Sequence, residues 1–269
     1  YSLLAARFGA LADLFGEPGD DYLDGGPGDD TVSDTVGGSD SLFGGDGADV
    51  LESAEAAAFN ARTAYNYLDG GAGNDVIRAR GEGNEFSVVV GGAGNDFIEF
   101  GGNAVLEGGA GDDTYWVASD FADRDSLVRI RDSEGQNALK GSGLLWSFVQ
   151  PNSAIEFAPI AWDYVSPPEK ILAESQREGE DLRLSWALPT FPDGVSPIVF
   201  HTRTIVVERW FADPSYRIEH YDVPGLTADV LESYGSQQGG GDEDEEFHGG
   251  DGRDRIWGGG GNDWVDAGQ

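Results

Sequence analysis

Cysteine and methionine are both absent from this 269-residue chain, and histidine occurs three times. Without cysteine the fold cannot rest on disulfides, which suits an exported chain and also fits a cytosolic one. Basic residues are scarce: 16 lysines and arginines face 50 aspartates and glutamates, for a formal net charge of −34. Such a charge repels nucleic acid and anionic membranes, so neither is expected as a partner. No apolar run approaches the ~20 residues of a membrane span, and no secretory signal peptide is visible. The patterns HExxH, GxSxG and the phosphate-binding GxxxxGK loop are missing, so no catalytic residue is assigned and the chain is not expected to be an enzyme. His201 and His220 could meet across adjacent strands, but strand histidines are far more often structural. The chain has no initiator methionine, and Ala267-Gly268-Gln269 reads as the start of another unit. The chain is therefore expected to be a piece of a longer protein.

What is abundant is glycine, 42 residues, about twice the ~7% usage of globular proteins. The excess lies in a nine-residue unit, Gly-Gly-x-Gly-x-Asp-x-U-x with U apolar. Clear copies begin at Gly25, Gly44, Gly70, Gly91 and Gly108, and two more at Gly249 and Gly258. GEPGDDYLD, which opens the series, keeps Gly19 and Asp21; TVGGSDSLF at Thr35 keeps Gly38, Asp40 and Leu42; GGDEDEEFH offers Glu245 where the aspartate belongs. Seven copies in frame exclude chance.

Glycines at positions one, two and four permit backbone angles closed to other residues, so a tight turn can aim carbonyls inward. The aspartate at position six adds a short anionic ligand. Calcium, a hard cation taking six to eight oxygens, suits that mixture. The apolar residue at position eight then lies on a brief strand and points into a core: Leu23, Val32, Leu51, Ile77, Ile98, Ile256 and Val265. Position-five residues such as Asp29 and Asp112 alternate with asparagine and are expected to be solvated. Bringing so many carboxylates together is unfavourable without cations, so the calcium-free repeats are expected to be largely disordered.

The unit resembles the calcium-binding nonapeptide of the RTX family. That resemblance implies an all-β fold: a parallel β-roll (β-solenoid) of nonapeptide repeats, with an intervening β-rich capping module and a second repeat block. It implies that two nonapeptides make one coil and that several Ca2+ ions sit between turns two repeats apart, held by turn carbonyls and paired aspartates. The glycines placed in these turns are Gly19, Gly26, Gly28, Gly44, Gly71, Gly73, Gly92, Gly94, Gly108, Gly250, Gly252 and Gly258. Asp30 is expected to pair with Asp49, Asp21 with Asp40, Asp96 with Asp113, and Glu245 with Asp263. Asp75 and Asp254 lie in good repeats, but their partner turns are irregular or missing.

Four regions are expected: a capping helix over 1–15, a first roll over 16–116, a β-rich module over 117–235, and a second, truncated repeat block over 240–269. Leu4, Phe8, Leu11 and Phe15 at three- and four-residue spacing carry the helix. Residues 53–65 interrupt the register as a short helix or extruded loop, 79–90 is three residues too long, and 100–107 is one too short, with Ala104 in the aspartate position. Those turns are expected to hold metal weakly or not at all. In 117–235, ILAESQ-REGED-LRLSW reads as a hairpin, LTADVLESY as a short helix, and Asp213-Pro214 as a turn. The module resembles the β-rich segment that often follows such repeats, and its aromatic residues are expected in a core.

The resemblance also implies export through a type I secretion machinery via the parent chain, and folding on extracellular calcium. About six ions would carry about +12 against the net charge. The rival reading is adhesion: a polysaccharide or cell surface bound by exposed aromatics of the β-rich module. A third makes the chain an accessory region of a secreted enzyme or toxin.

Overall fold

The computed structural model describes residues 3–5, 11–54, 64–80, 86–118, 125–141, 173–190, 199–221, 234–239, 243–248, 253–257 and 260–266. Each nonapeptide contributes one turn and one short strand, and the chain alternates between two facing sheets. In order these strands are β1 (Leu3–Ala5), β2 (Asp13–Phe15), β3 (Tyr22–Pro27), β4 (Thr31–Asp34), β5 (Ser41–Asp46), β6 (Val50–Ala54) and β7 (Tyr65–Ala72). They continue as β8 (Val76–Arg80), β9 (Phe86–Ala93), β10 (Phe97–Gly101), β11 (Asn103–Ala110), β12 (Thr114–Val117), β13 (Ser126–Ile130) and β14 (Asn137–Gly141). Odd-numbered strands stack in parallel in one sheet and even-numbered strands in the other. Two strands make a coil, so this is a parallel β-solenoid of seven coils.

Position eight sets the register. In one sheet Leu23, Leu42, Leu68, Val89, Leu106 and Ile130 are aligned partners from strand to strand. In the other the column is Leu14, Val32, Leu51, Ile77, Ile98, Tyr115 and Leu139. Apart from Leu14, which is partly buried, all of these are fully buried and form one continuous core. A single coil buries only two such side chains, which is too little to stand alone. Stacking supplies the rest.

The roll ends differently at its two ends from what the sequence suggests. Over 2–15 the described residues form strands, not a helix: Leu3–Ala5 pairs with Tyr22–Asp24, and Asp13–Phe15 with Thr31–Ser33. The unpaired edge of the first coil offers main-chain partners that a surface helix could not use, and Leu11 and Phe15 are left exposed. At the other end the coils do not stop at 116. Strands β13 and β14 add a seventh coil, and β17 (Val199–Val207) and β18 (Ile218–Tyr221) stack in parallel on them. Strands β15 (Ala173–Glu178) and β16 (Asp181–Thr190) form the expected hairpin, and β16 runs antiparallel to β17.

This cap is apolar inside. Leu182, Leu184, Ile205, Val207, Ile218 and Trp210 join the roll's core, with Trp210 fully buried. Glu208 fastens it to the last coil by ion pairs to Arg131 (2.6 Å) and Arg129 (3.2 Å). Asp213-Pro214 is a turn: the Asp213 carboxylate accepts from the backbone N–H and hydroxyl of Ser215 at the head of a 3-10 turn over Pro214–Tyr216. His201 and His220 lie in different sheets and do not meet across adjacent strands. The helix expected over LTADVLESY lies outside the described residues, except that Tyr234 begins a strand.

In the second repeat block β20 (Glu246–His248) pairs with β22 (Trp264–Asp266), and β21 (Arg253–Trp257) pairs with β19 (Tyr234–Gly239), which precedes the block, both in parallel. Here Phe247 is buried, but Val265, expected in the core, is 47% exposed. It lies on β22, which among the described residues pairs with β20 alone.

Candidate metal centre

The turns form two columns, one at each edge where the chain passes between sheets. The first column holds the turns that leave the odd strands, each ending in a position-six aspartate: Asp30, Asp49, Asp75, Asp96 and Asp113. All five are buried. One carboxylate oxygen of each is fixed by the turn below. The Asp30 N–H donates to Asp49 Oδ1 (2.6 Å), Asp49 N–H to Asp75 (2.7 Å), Asp75 N–H to Asp96 (2.8 Å) and Asp96 N–H to Asp113 (2.8 Å). Asn137 closes the series by accepting from the Asp113 N–H at 2.8 Å.

Asp75 therefore has a partner on each side, contrary to the reading of its neighbours as irregular. Partners along the series are 19, 26, 21, 17 and 24 residues apart. The extra residues fall between β6 and β7, between β8 and β9 and between β12 and β13, at the opposite edge. They lengthen a coil without displacing this column.

The other oxygen, Oδ2, is buried and has no hydrogen-bond partner in any of the five. A buried ionised oxygen left unpaired is costly, and native structures rarely tolerate one without an ion. Position-one glycines open the space beside it. A Cβ on Gly25 would lie 2.7 Å from Asp30 Oδ2 and 2.6 Å from the Gly44 carbonyl oxygen. Gly44, Gly70 and Gly91 repeat that arrangement, each against its own aspartate and the carbonyl of the next coil. Unpaired carboxylate oxygens alternating with inward carbonyls are a donor set for a hard cation such as calcium. The residues present fit the ion. Gly26, Gly28, Gly71, Gly73, Gly92 and Gly94 have positive φ, as positions two and four require.

The second column, in the turns that leave the even strands, begins the same way and then loses its acid. Asp21 N–H donates to Asp40 Oδ1 (2.9 Å), with Gly19 at φ 124° in the same turn. Asp40 N–H donates to the amide oxygen of Asn66 at 2.9 Å. The next two equivalents are Ser87 and Ala104, so among the described residues this register position keeps its carboxylate only at Asp21 and Asp40. In the second block Glu245 N–H donates to Asp263 Oδ1 at 3.1 Å. Asp254 lies on β21, while Gly250, Gly252 and Gly258 lie outside the described residues.

Position five forms a separate, exposed rail running the other way. Ala48 N–H donates to Asp29, Asn95 N–H to Asn74, Asp112 N–H to Asn95 and Gln136 N–H to Asp112, all at 2.8–2.9 Å. Each bond needs one acceptor oxygen and no charge, so Asp and Asn both serve. That explains their alternation here and the retention of aspartate at position six.

Sequence reasoning missed three residues. Asp132 opens a degenerate seventh turn, DSEGQN, that keeps only Gly135 and ends in Asn137. Tyr115 occupies an apolar core position, yet its hydroxyl accepts from the Gly108 N–H (2.7 Å) and donates to Asp132 Oδ2 (2.5 Å). This buried pair closes the first column, standing where earlier coils present a carbonyl. Tyr115→Phe would strand the Gly108 N–H, at a cost of about 1–3 kcal/mol. Thermal unfolding in saturating calcium is expected to show that loss, with the number of bound ions unchanged. Asp34, at the end of β4, is the third.

With no cation beside them, four of the position-six carboxyls are hard to ionise. Burial, reinforced by neighbouring carboxylates and opposed by the N–H of the adjacent turn, pushes Asp40, Asp75 and Asp113 up to about 7 and Asp49 to about 6. Each folded-state value lies above the ordinary 3.8. The metal-free fold is thus favoured most below the unfolded value and loses that support as pH rises through 6 to 7. In excess chelator, far-ultraviolet circular dichroism is expected to show more β structure at pH 5 than at pH 8. Identical spectra at both would contradict this.

Compared with known families, the chain matches the RTX calcium-binding nonapeptide repeat (4 copies) over residues 13–33, 34–55, 61–84, 83–104, 101–120 and 239–269. No curated protein and no solved structure matches it significantly. The first run of matches ends at 120, one coil before the roll itself does.

Proposed function

This chain belongs to the family of RTX calcium-binding nonapeptide repeats, and from that premise we propose that it is a non-catalytic folding switch in an exported protein. The repeats bind calcium ions; bound calcium supplies the positive charge that the buried carboxylates lack. The chain's own part is to hold two aspartates and a set of carbonyls per gap in one geometry. Where calcium is scarce, as in a cytosol, a chain of net charge −34 opposes its own compaction and stays threadable through a type I secretion channel. Outside the cell, millimolar calcium suits weak extracellular-type sites and pulls the equilibrium to the roll.

The observation that carries this reading is the unbroken series of buried carboxylates from Asp30 to Asp113, each with an unpaired oxygen. The adhesive reading has no comparable support. Among the described residues of the cap, Trp210 is buried with Phe211 edge-on at 4.6 Å, and Tyr216 lies under the Arg209 guanidinium at 4.4 Å.

Titrating calcium into the metal-free chain while following circular dichroism tests the switch. A cooperative gain of β structure is expected with calcium and not with magnesium, which dehydrates reluctantly and demands octahedral geometry. A chain already folded in chelator at pH 8, or one that magnesium folds equally well, would sink it.

A further inference from the structure

We propose that Asp21, Asp34 and Asp40 build a three-carboxylate cation site at the N-terminal end of the second column, distinct from the two-aspartate sites of the first and filled before them. The proposal rests on the reading of the repeats as calcium-binding. It adds a ligand, Asp34, that the nonapeptide pattern does not contain. Asp34 lies between the unit beginning at Gly25 and the one beginning at Thr35, where the spacing is one residue longer than nine.

All three residues are buried, with 2–4% of their surface exposed. One carboxylate oxygen from each lies within 4.8 Å of the other two. Asp34 Oδ1 is held by the Val36 N–H at 3.1 Å, which fixes the carboxylate, while its Oδ2 is buried with no hydrogen-bond partner. Gly16 occupies position one of the first turn, and a Cβ there would overlap Asp34 Oδ2. At Gly25, Gly44, Gly70 and Gly91 the corresponding neighbours include a backbone carbonyl of the next coil. Here a full negative charge replaces that carbonyl dipole.

Three carboxylates this close cannot all ionise without a counter-charge. Calcium affinity rises with the number of charged ligands and with the rigidity of the site. The Asp21–Asp34–Asp40 site is therefore the tightest in the roll. It secures the first coils before the weaker sites of the first column fill.

Calcium binding to the full chain at neutral pH, measured by isothermal titration calorimetry, is expected to resolve one ion bound about ten-fold or more tightly than the rest. Asp34→Asn keeps the acceptor for Val36 and removes the charge. It should abolish the tight class while leaving the weaker ions and the calcium-saturated dichroism spectrum intact. Asp96→Asn should do the reverse, losing a weaker ion and keeping the tight one. A D34N chain with the wild-type number of ions and affinities would overturn the proposal and point to shared protons between the carboxylates. A wild-type chain that binds no calcium would overturn the reading of the repeats instead. If D34N fails to fold, the unmodified chain still decides the matter. Its europium(III) excitation spectrum, whose line position follows ligand charge, should show a three-carboxylate class beside the two-carboxylate class, and a single class would contradict the site.

Discussion

Alanine in place of Asp75 is expected to raise the calcium concentration needed for folding by about ten-fold or more, the largest effect of any single carboxylate in the first column. Asp75 sits at the middle of the series. Its Oδ1 accepts the buried Asp49 N–H, and its Oδ2 faces the gap between the Gly70 and Gly91 turns. Removing the side chain strands that N–H, at about 1–3 kcal/mol, and deletes an anionic ligand between two neighbouring turns. A ten-fold shift corresponds to roughly 1.4 kcal/mol, so the hydrogen bond alone is of the required size. Asp75→Asn separates the two losses. It retains the acceptor and loses the charge, and its midpoint should fall between those of the wild type and D75A. The adjacent Asn74→Ala removes only an exposed bond to Asn95 and should shift stability by no more than about 0.5 kcal/mol. A D75A midpoint equal to that of N74A would contradict the buried column.

Gly73→Ala is expected to be more damaging still to the folded roll in saturating calcium. Gly73 has φ +140°, and a Cβ on it would collide with the Gly47 carbonyl oxygen of the preceding coil. The obstacle is backbone, which cannot rotate aside as a side chain would. The left-handed conformation costs about 1–2 kcal/mol and overpacking about 1–3 kcal/mol more, so a loss of roughly 3 kcal/mol or greater is expected in calcium-saturated unfolding. Gly179, in the β15–β16 hairpin, is the matched control: φ is +63°, but nothing lies within 4 Å of a Cβ there. Gly179→Ala should cost only about 1 kcal/mol. Equal losses at the two positions would mean that the coils are not stacked as closely as described.

Much of this was legible because the nonapeptide is local. Position six and position eight are separated by one residue on the far side of a turn, so a nine-residue window contains both the ligand and the core side chain. Leu23, Val32, Leu51, Ile77 and Ile98 fell where the pattern placed them. What the window could not contain was the relation between coils. Asp75 appeared isolated because residues inserted on one edge were counted as breaks on both. The seventh coil escaped notice because DSEGQN keeps the shape of the turn through Gly135 while losing its charge at Asn137. Helical spacing at Leu4, Phe8, Leu11 and Phe15 misled because an open strand edge competes for the same main chain. Asp34 lies between units, where a repeat pattern makes no statement.

The most direct test is the position of calcium itself. In crystals grown with calcium, anomalous scattering is expected to place ions between successive position-six carboxylates along Asp30, Asp49, Asp75, Asp96 and Asp113. Density absent from those gaps, or confined to the exposed rail at Asp29 and Asp112, would contradict the account.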